Sequence, residues 1–166
     1  MHQKLTADSP RSVLLLLPIL ILTLLFPGCG RSSMPFNGEI QFHDISVVIP
    51  KDFIRDSTQS NADLWVFEKG YYTECILITR SDADENVSAQ LDGYAERMKE
   101  LGAESVRGTC LDTDAVLTTY TKEGQYCQEI LFPCNGSIYA FALRGGTEQA
   151  FQSLLEGLRI PETGNE

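Results

Sequence analysis

Leu64-Trp65-Val66-Phe67 and Cys75-Ile76-Leu77-Ile78 decide the architecture of this chain. A strand with one wet face alternates apolar and polar side chains, because successive Cβ atoms point to opposite sides of the sheet. These two runs do not alternate. Both of their faces are apolar, so both sides of the sheet must be covered there. Gly70-Tyr71-Tyr72-Thr73 lies between them and predicts an antiparallel pair, one strand from Asp63 to Lys69 and the next from Glu74 to Arg80. The expectation is a sheet with helices packed on both faces.

Downstream the period changes. Leu91, Tyr94, Ala95, Met98 and Leu101 recur at three- and four-residue steps and predict a helix from about Ser88 to Leu101. Asn86 or Ser88 can cap its start, and Gly102 supplies a left-handed stop. Gly93 lowers intrinsic helicity by about 1 kcal/mol relative to alanine, so packing must hold this helix. Residues 104–144 read as an antiparallel meander with turns at Asp112-Thr113, Glu123-Gly124 and Asn135-Gly136, the last being the best hairpin signal in the chain. A type I′ turn there sets Phe132 opposite Tyr139 and Ile130 opposite Phe141. Thr147 caps a second helix presenting Phe151, Leu154 and Leu155; Gly157 ends it, leaving Leu158 and Ile160 as an extended tail.

Upstream, Ile40 and Phe42, then Ile45, Val47 and Ile49, alternate around His43-Asp44 as a β-hairpin. Pro50-Lys51-Asp52-Phe53 makes one turn that drops Phe53 onto the core, and the polar residues 55–62 form a loop. Taken together, Phe42-Xaa-Xaa-Ile45-Xaa-Val47-Xaa-Ile49-Pro50-Lys51-Asp52-Phe53, the Trp65-Val66-Phe67 strand, the Tyr94 helix, the Ile138-Tyr139-Ala140-Phe141 strand and the closing Phe151 to Ile160 resemble the PsbP-like domains of small bacterial lipoproteins. The resemblance implies an α+β fold, an antiparallel β-sheet with helices packed on both faces as an α/β/α sandwich, over residues 38–161. Its functional implication is an accessory subunit that assists an assembly. Each matching point is a packing pattern, so no site residue is carried over.

The start of the chain supplies an address. Val13 to Phe26 is apolar except for Thr23, with Lys4 and Arg11 ahead of it, which reads as an export signal. A hydrocarbon span needs roughly 20 apolar residues, and Pro18 weakens the run further as an anchor. Phe26-Pro27-Gly28-Cys29 resembles a lipobox: a small residue precedes the thiol that forms a thioether to diacylglycerol. Phe26 and Pro27 depart from the usual pattern, and an ordinary secretory signal with an incidental Cys29 is the competing reading. The expected organisation is a lipoprotein signal peptide at 1–28, a tether at 29–37, the domain at 38–161 and a tail at 162–166. Two acyl chains on Cys29 would hold the protein stably to the outside of the cell membrane.

Composition excludes some partners. Asp and Glu number 23 against 13 Lys and Arg, a formal net charge of −10. Nucleic-acid binding requires basic clusters facing phosphates, and the basic residues here are scattered singly. Cys75, Cys110, Cys127 and Cys134 allow three disulfide pairings if all are oxidised, whereas buried thiols are the alternative. Their spacing lacks the close pairs of a zinc knuckle, and no cofactor or metal is expected.

Candidate chemistry is sparse. With the signal removed, His43 is the histidine left for a triad, and it sits beside Asp44 in a hairpin turn. Asp82-Ala83-Asp84-Glu85-Asn86 begins like a calcium loop, but Val87 stands where the sharp turn needs glycine and Gly93 where a bidentate glutamate belongs. A solvated acidic lead-in to the following helix explains it better. Tyr71 and Tyr72 stand out as a partner-contact patch at a loop tip, unless one folds back over the sheet edge. The function expected is that of a lipid-anchored, non-catalytic binding or accessory module whose partner the sequence does not name. The alternatives are a small-molecule-binding envelope protein and, behind it, an envelope hydrolase.

Overall fold

The computed structural model describes residues 38–161, and the chain divides between Gly30 and Arg31 into two units, of which the second contains all of these. The signal peptide, Cys29, the tether and the tail at 162–166 lie outside the described residues. Most of the domain is one antiparallel sheet with two helices. Its strands are β3 (Ile54–Arg55), β4 (Leu64–Lys69), β5 (Glu74–Asp82), β6 (Glu104–Cys110), β7 (Thr113–Lys122), β8 (Gln125–Cys134) and β9 (Ser137–Arg144), in the spatial order β3-β4-β5-β9-β8-β7-β6. β1 (Gly38–Phe42) and β2 (Ile45–Ile49) form a separate hairpin, α1 spans Val87–Glu100 and α2 spans Glu148–Glu156.

Register sorts the side chains. Phe67 pairs with Ile76, Ile76 with Leu143, Ile78 with Phe141 and Phe141 with Ile130, so these residues share one face. Against them lie Phe42, Ile45, Val47 and Ile49 of the hairpin and Phe151, Leu154 and Leu158 at the C-terminal end, all in one buried cluster. Phe42 meets Trp65 edge-on with centroids 5.0 Å apart, and Phe141 meets Phe151 at 6.3 Å. Each fully buried aromatic or branched side chain here contributes about 1.5–3 kcal/mol. The hairpin thus shares with α2 the role of covering this side, because its inward residues alternate at period two.

Residues of the other parity include Val66, Cys75, Leu77, Ala142, Glu129 and Thr118. α1 lies against β6, β7 and β8 and buries Gln90, Leu91, Tyr94 and Met98. Asn86 caps it by accepting the Ala89 N–H at 3.0 Å, and Gly102 follows with φ +83°. Thr147 caps α2 through the Ala150 N–H.

Several local expectations need correction. Leu101 is 61% exposed because the helix has ended before it: it is the C-cap, with ψ of 4°, and extending the helical period past Met98 fails. Ile160 is exposed while Leu158 is buried, since the segment bridges Ser46 through Arg159 and turns Ile160 outward. The β6–β7 turn is Leu111-Asp112, one residue earlier than the Asp112-Thr113 expectation, with both residues at positive φ. The loop at 55–62 begins inside β3, a two-residue strand too short to alternate visibly.

Candidate functional site

Two polar clusters occupy opposite ends of the sheet. The first surrounds the β4–β5 turn. The Thr73 N–H donates to the Gly70 carbonyl at 3.3 Å, closing a turn whose central residues are Tyr71 at φ +55° and Tyr72 at φ +66°, after Gly70 at +60°. Positive φ at both central positions defines a type I′ turn, which ordinarily carries Asn-Gly. A residue with a Cβ costs roughly 1–2 kcal/mol in that region, so Tyr-Tyr is a strained choice.

Tyr72 explains how the strain is held. Its hydroxyl donates to the Asp56 carboxylate, its N–H donates to Glu68 Oε2 at 3.2 Å, and Gln59 Nε2 donates to its oxygen at 3.0 Å. Asp56 also accepts the Thr58 N–H at 2.8 Å and hydroxyl at 2.6 Å. Burial alone would raise the Asp56 carboxyl, but the donors Thr58, Tyr72 and Gln59 outweigh it and hold it below the usual carboxylate range. Gly145, just past the end of β9, wedges the turn: a Cβ there would lie 1.9 Å from the Thr73 carbonyl oxygen. The outcome separates the two tyrosines. Tyr72 folds back and is half-buried, whereas Tyr71 is 82% exposed.

The second cluster gathers His43, Asp44, Asp63, Arg80 and Tyr139. His43 Nε2 lies 2.8 Å from the Ala62 carbonyl and 3.5 Å from Asp63, and Arg80 reaches the same carboxylate at 3.3 Å. Tyr139 donates to Asp44 Oδ2 at 2.9 Å and accepts the Asp44 N–H at 3.3 Å. Burial pushes the Tyr139 hydroxyl up; the Asp44 N–H that it accepts opposes this, and its bond to the Asp44 carboxylate adds to it. His43 is therefore engaged with the Ala62 carbonyl and the Asp63 carboxylate, and no hydroxyl or thiol is its partner. Burial likewise raises the neighbouring Cys134 thiol, which favours its protonated form. The chemistry of the cluster is that of a clamp joining the β1–β2 turn to β4, β5 and β9.

The acidic stretch after β5 caps a helix. Asn86 caps α1, and the Asp84 N–H donates to Gln90 Oε1 at 3.0 Å. Among the described residues no group of His, Cys, Asp and Glu is arranged to hold a metal ion. Among the described residues, Cys75, Cys110, Cys127 and Cys134 are free thiols. Cys75 and Cys127 both pair with Arg144, so one strand separates them; β7 likewise separates Cys110 on β6 from Cys134 on β8. Two strand spacings are roughly 10 Å, beyond the ~7 Å Cα limit of a disulfide. Burial pushes the Cys75 thiol up to about 12 and the Cys110 thiol up to about 11, which keeps both protonated at neutral pH.

Two residues escaped the sequence reading. Glu129 is 2% exposed in the middle of β8, and Arg144 sits between the two thiols while donating to Gln125 at 2.5 Å and to Glu123. Glu129 shares parity with Cys127 and Leu131, so assigning β8 a covered second face would have found it.

This mostly antiparallel sheet with two helices and a β-hairpin is PsbP-like in fold. The structure is similar to cyanobacterial PsbP (CyanoP) from Synechocystis sp. PCC 6803, with a TM-score of 0.54 and 10% identity over 81% of this chain and 98% of that one. It is also similar to a crystal structure from Bacteroides thetaiotaomicron, with a TM-score of 0.52 and 13% identity over 79% of this chain and 51% of that one. No family model and no curated protein matches the sequence. At these identities the likeness is one of fold.

Proposed function

We propose that this protein is a non-catalytic accessory module, held outside the cell membrane by lipid on Cys29, that contacts a protein partner through Tyr71. The observation that carries the reading is the β4–β5 turn: strained backbone at two consecutive tyrosines, with the first of them 82% exposed. Strain of this kind persists where surrounding bonds over-determine it, and such places concentrate at binding surfaces. Tyrosine suits the role because it offers large contact area for only two side-chain torsions. The full α/β/α layering belongs to the same reading; Tyr94 of α1 facing Glu129 and Thr118, and Phe151 of α2 meeting Phe141, support it.

The test is photo-crosslinking in intact cells, with the photoreactive residue placed at Tyr71 or at the exposed Glu96 of α1. One discrete adduct from position 71, absent from position 96, is expected. Equal or absent labelling at both would remove the contact. Labelled palmitate that still enters a Cys29→Ala chain would remove the anchor. A second reading, small-molecule binding, is favoured by a cleft of about 560 Å³ lined by Glu39, Gln41, Ser46 and Arg159. A thermal shift with small anions that vanishes in Arg159→Ala would support it.

A further inference from the structure

Glu129 lies under α1 without a counter-charge. It pairs with Thr118 of β7 and Ala142 of β9 and is 2% exposed. α1 contributes Tyr94, whose buried hydroxyl faces Glu129 and Thr118 without a well-formed hydrogen bond to either. β7 contributes Tyr120 and the Thr118 hydroxyl, which sits 3.1 Å from that of Ser105 on β6. Cys127 stands two residues along β8. The nearby cations point elsewhere: Arg144 of β9 donates to Gln125 and Glu123, and Arg107 of β6 to Asp92 and Ser88. Among the described residues, the influences on the Glu129 carboxyl are burial and the Tyr94 hydroxyl.

We propose that Glu129 makes α1 a pH-sensitive cover: with the carboxyl neutral the helix stays seated on β6, β7 and β8, and with it ionised the helix lifts and brings Tyr94, Thr118 and Ser105 to solvent. A buried carboxylate with no cation is costly, and opening the cover rehydrates it. Burial pushes Glu129 up to about 7, against which the Tyr94 hydroxyl acts weakly. The direction follows. Below the ordinary glutamate value of about 4.3 the carboxyl is neutral whether the cover is open or closed, so pH has no effect. Between there and about 7 the open form ionises while the closed form stays neutral, so opening grows easier as pH rises. Above that it changes no further.

α1 is the element that yields first. Its apolar anchors are Leu91, Tyr94 and Met98; it carries Gly93 at its centre, and it rests on the β6-to-β8 side of the sheet. Local opening draws on such lightly anchored elements.

Hydrogen exchange of the full chain, followed by mass spectrometry and corrected for intrinsic rates, tests this. The opening constant of amides from Leu91 to Met98 should rise roughly 75-fold between pH 5 and pH 8. In Glu129→Gln the rise should disappear, and in Tyr94→Phe it should continue to higher pH. At both pH values α1 should open more readily than β5 and β9. A wild-type opening constant that does not change with pH, or the same rise in Glu129→Gln, overturns the role of Glu129. Equal opening free energies for α1 and for β5 overturn the cover.

Discussion

The two ends of the sheet treat their polar groups differently. At the His43 end, Asp44, Asp63, Arg80 and Tyr139 satisfy one another across β1–β2, β4, β5 and β9, and the bonds close a clamp. At the Tyr71 end, an equally dense set on Asp56 and Glu68 secures Tyr72 and leaves its neighbour facing water. The same kinds of bond thus serve closure in one place and presentation in the other. What distinguishes the two turns is backbone cost: the β4–β5 turn holds three successive residues at positive φ, and the β1–β2 turn holds one.

The largest effect expected from testing this contrast comes from Gly145→Ala. The new Cβ would collide with the Thr73 carbonyl at a φ of +78°, so a loss of about 3 kcal/mol or more is expected in a urea melt. A loss below about 1 kcal/mol would mean the turn is not wedged. Next is Tyr72→Phe, which leaves Asp56 short of a donor and should cost about 2 kcal/mol. Because Asp56 is depressed in the folded state, its contribution exists above the ordinary Asp value and is lost as pH falls through the folded value. Tyr72→Phe should therefore lessen the acid-side loss of stability, readable in melts across the acid range. Tyr139→Phe at the clamp end should cost only about 1 kcal/mol, since it removes one hydroxyl from a half-solvated network.

Much of the fold was legible because local chemistry and final structure agree. Asn135-Gly136 takes φ of 48° and 75°, and the pairs Phe132–Tyr139 and Ile130–Phe141 follow from it. Thr147 and Asn86 cap the helices they were expected to cap. Legibility failed where structure overrides local preference. Leu111-Asp112 is a left-handed turn built on a leucine, and β3 exists only through its pairing with β4. The candidate site divides the same way. Tyr71 was visible as an aromatic beside a glycine, but its separation from Tyr72 depends on Asp56, far away in sequence. The partners of His43 at Ala62 and Asp63 were hidden for the same reason.

The central claim is that strain at Tyr71 is kept for what the side chain presents, not for stability. The unfolding free energy of Tyr71→Asn measures this directly, because asparagine tolerates left-handed backbone and an 82%-exposed ring gives up little packing. The account predicts a gain of roughly 0.5 kcal/mol or more. A loss of about 1 kcal/mol would contradict it and make Tyr71 a structural residue of the turn.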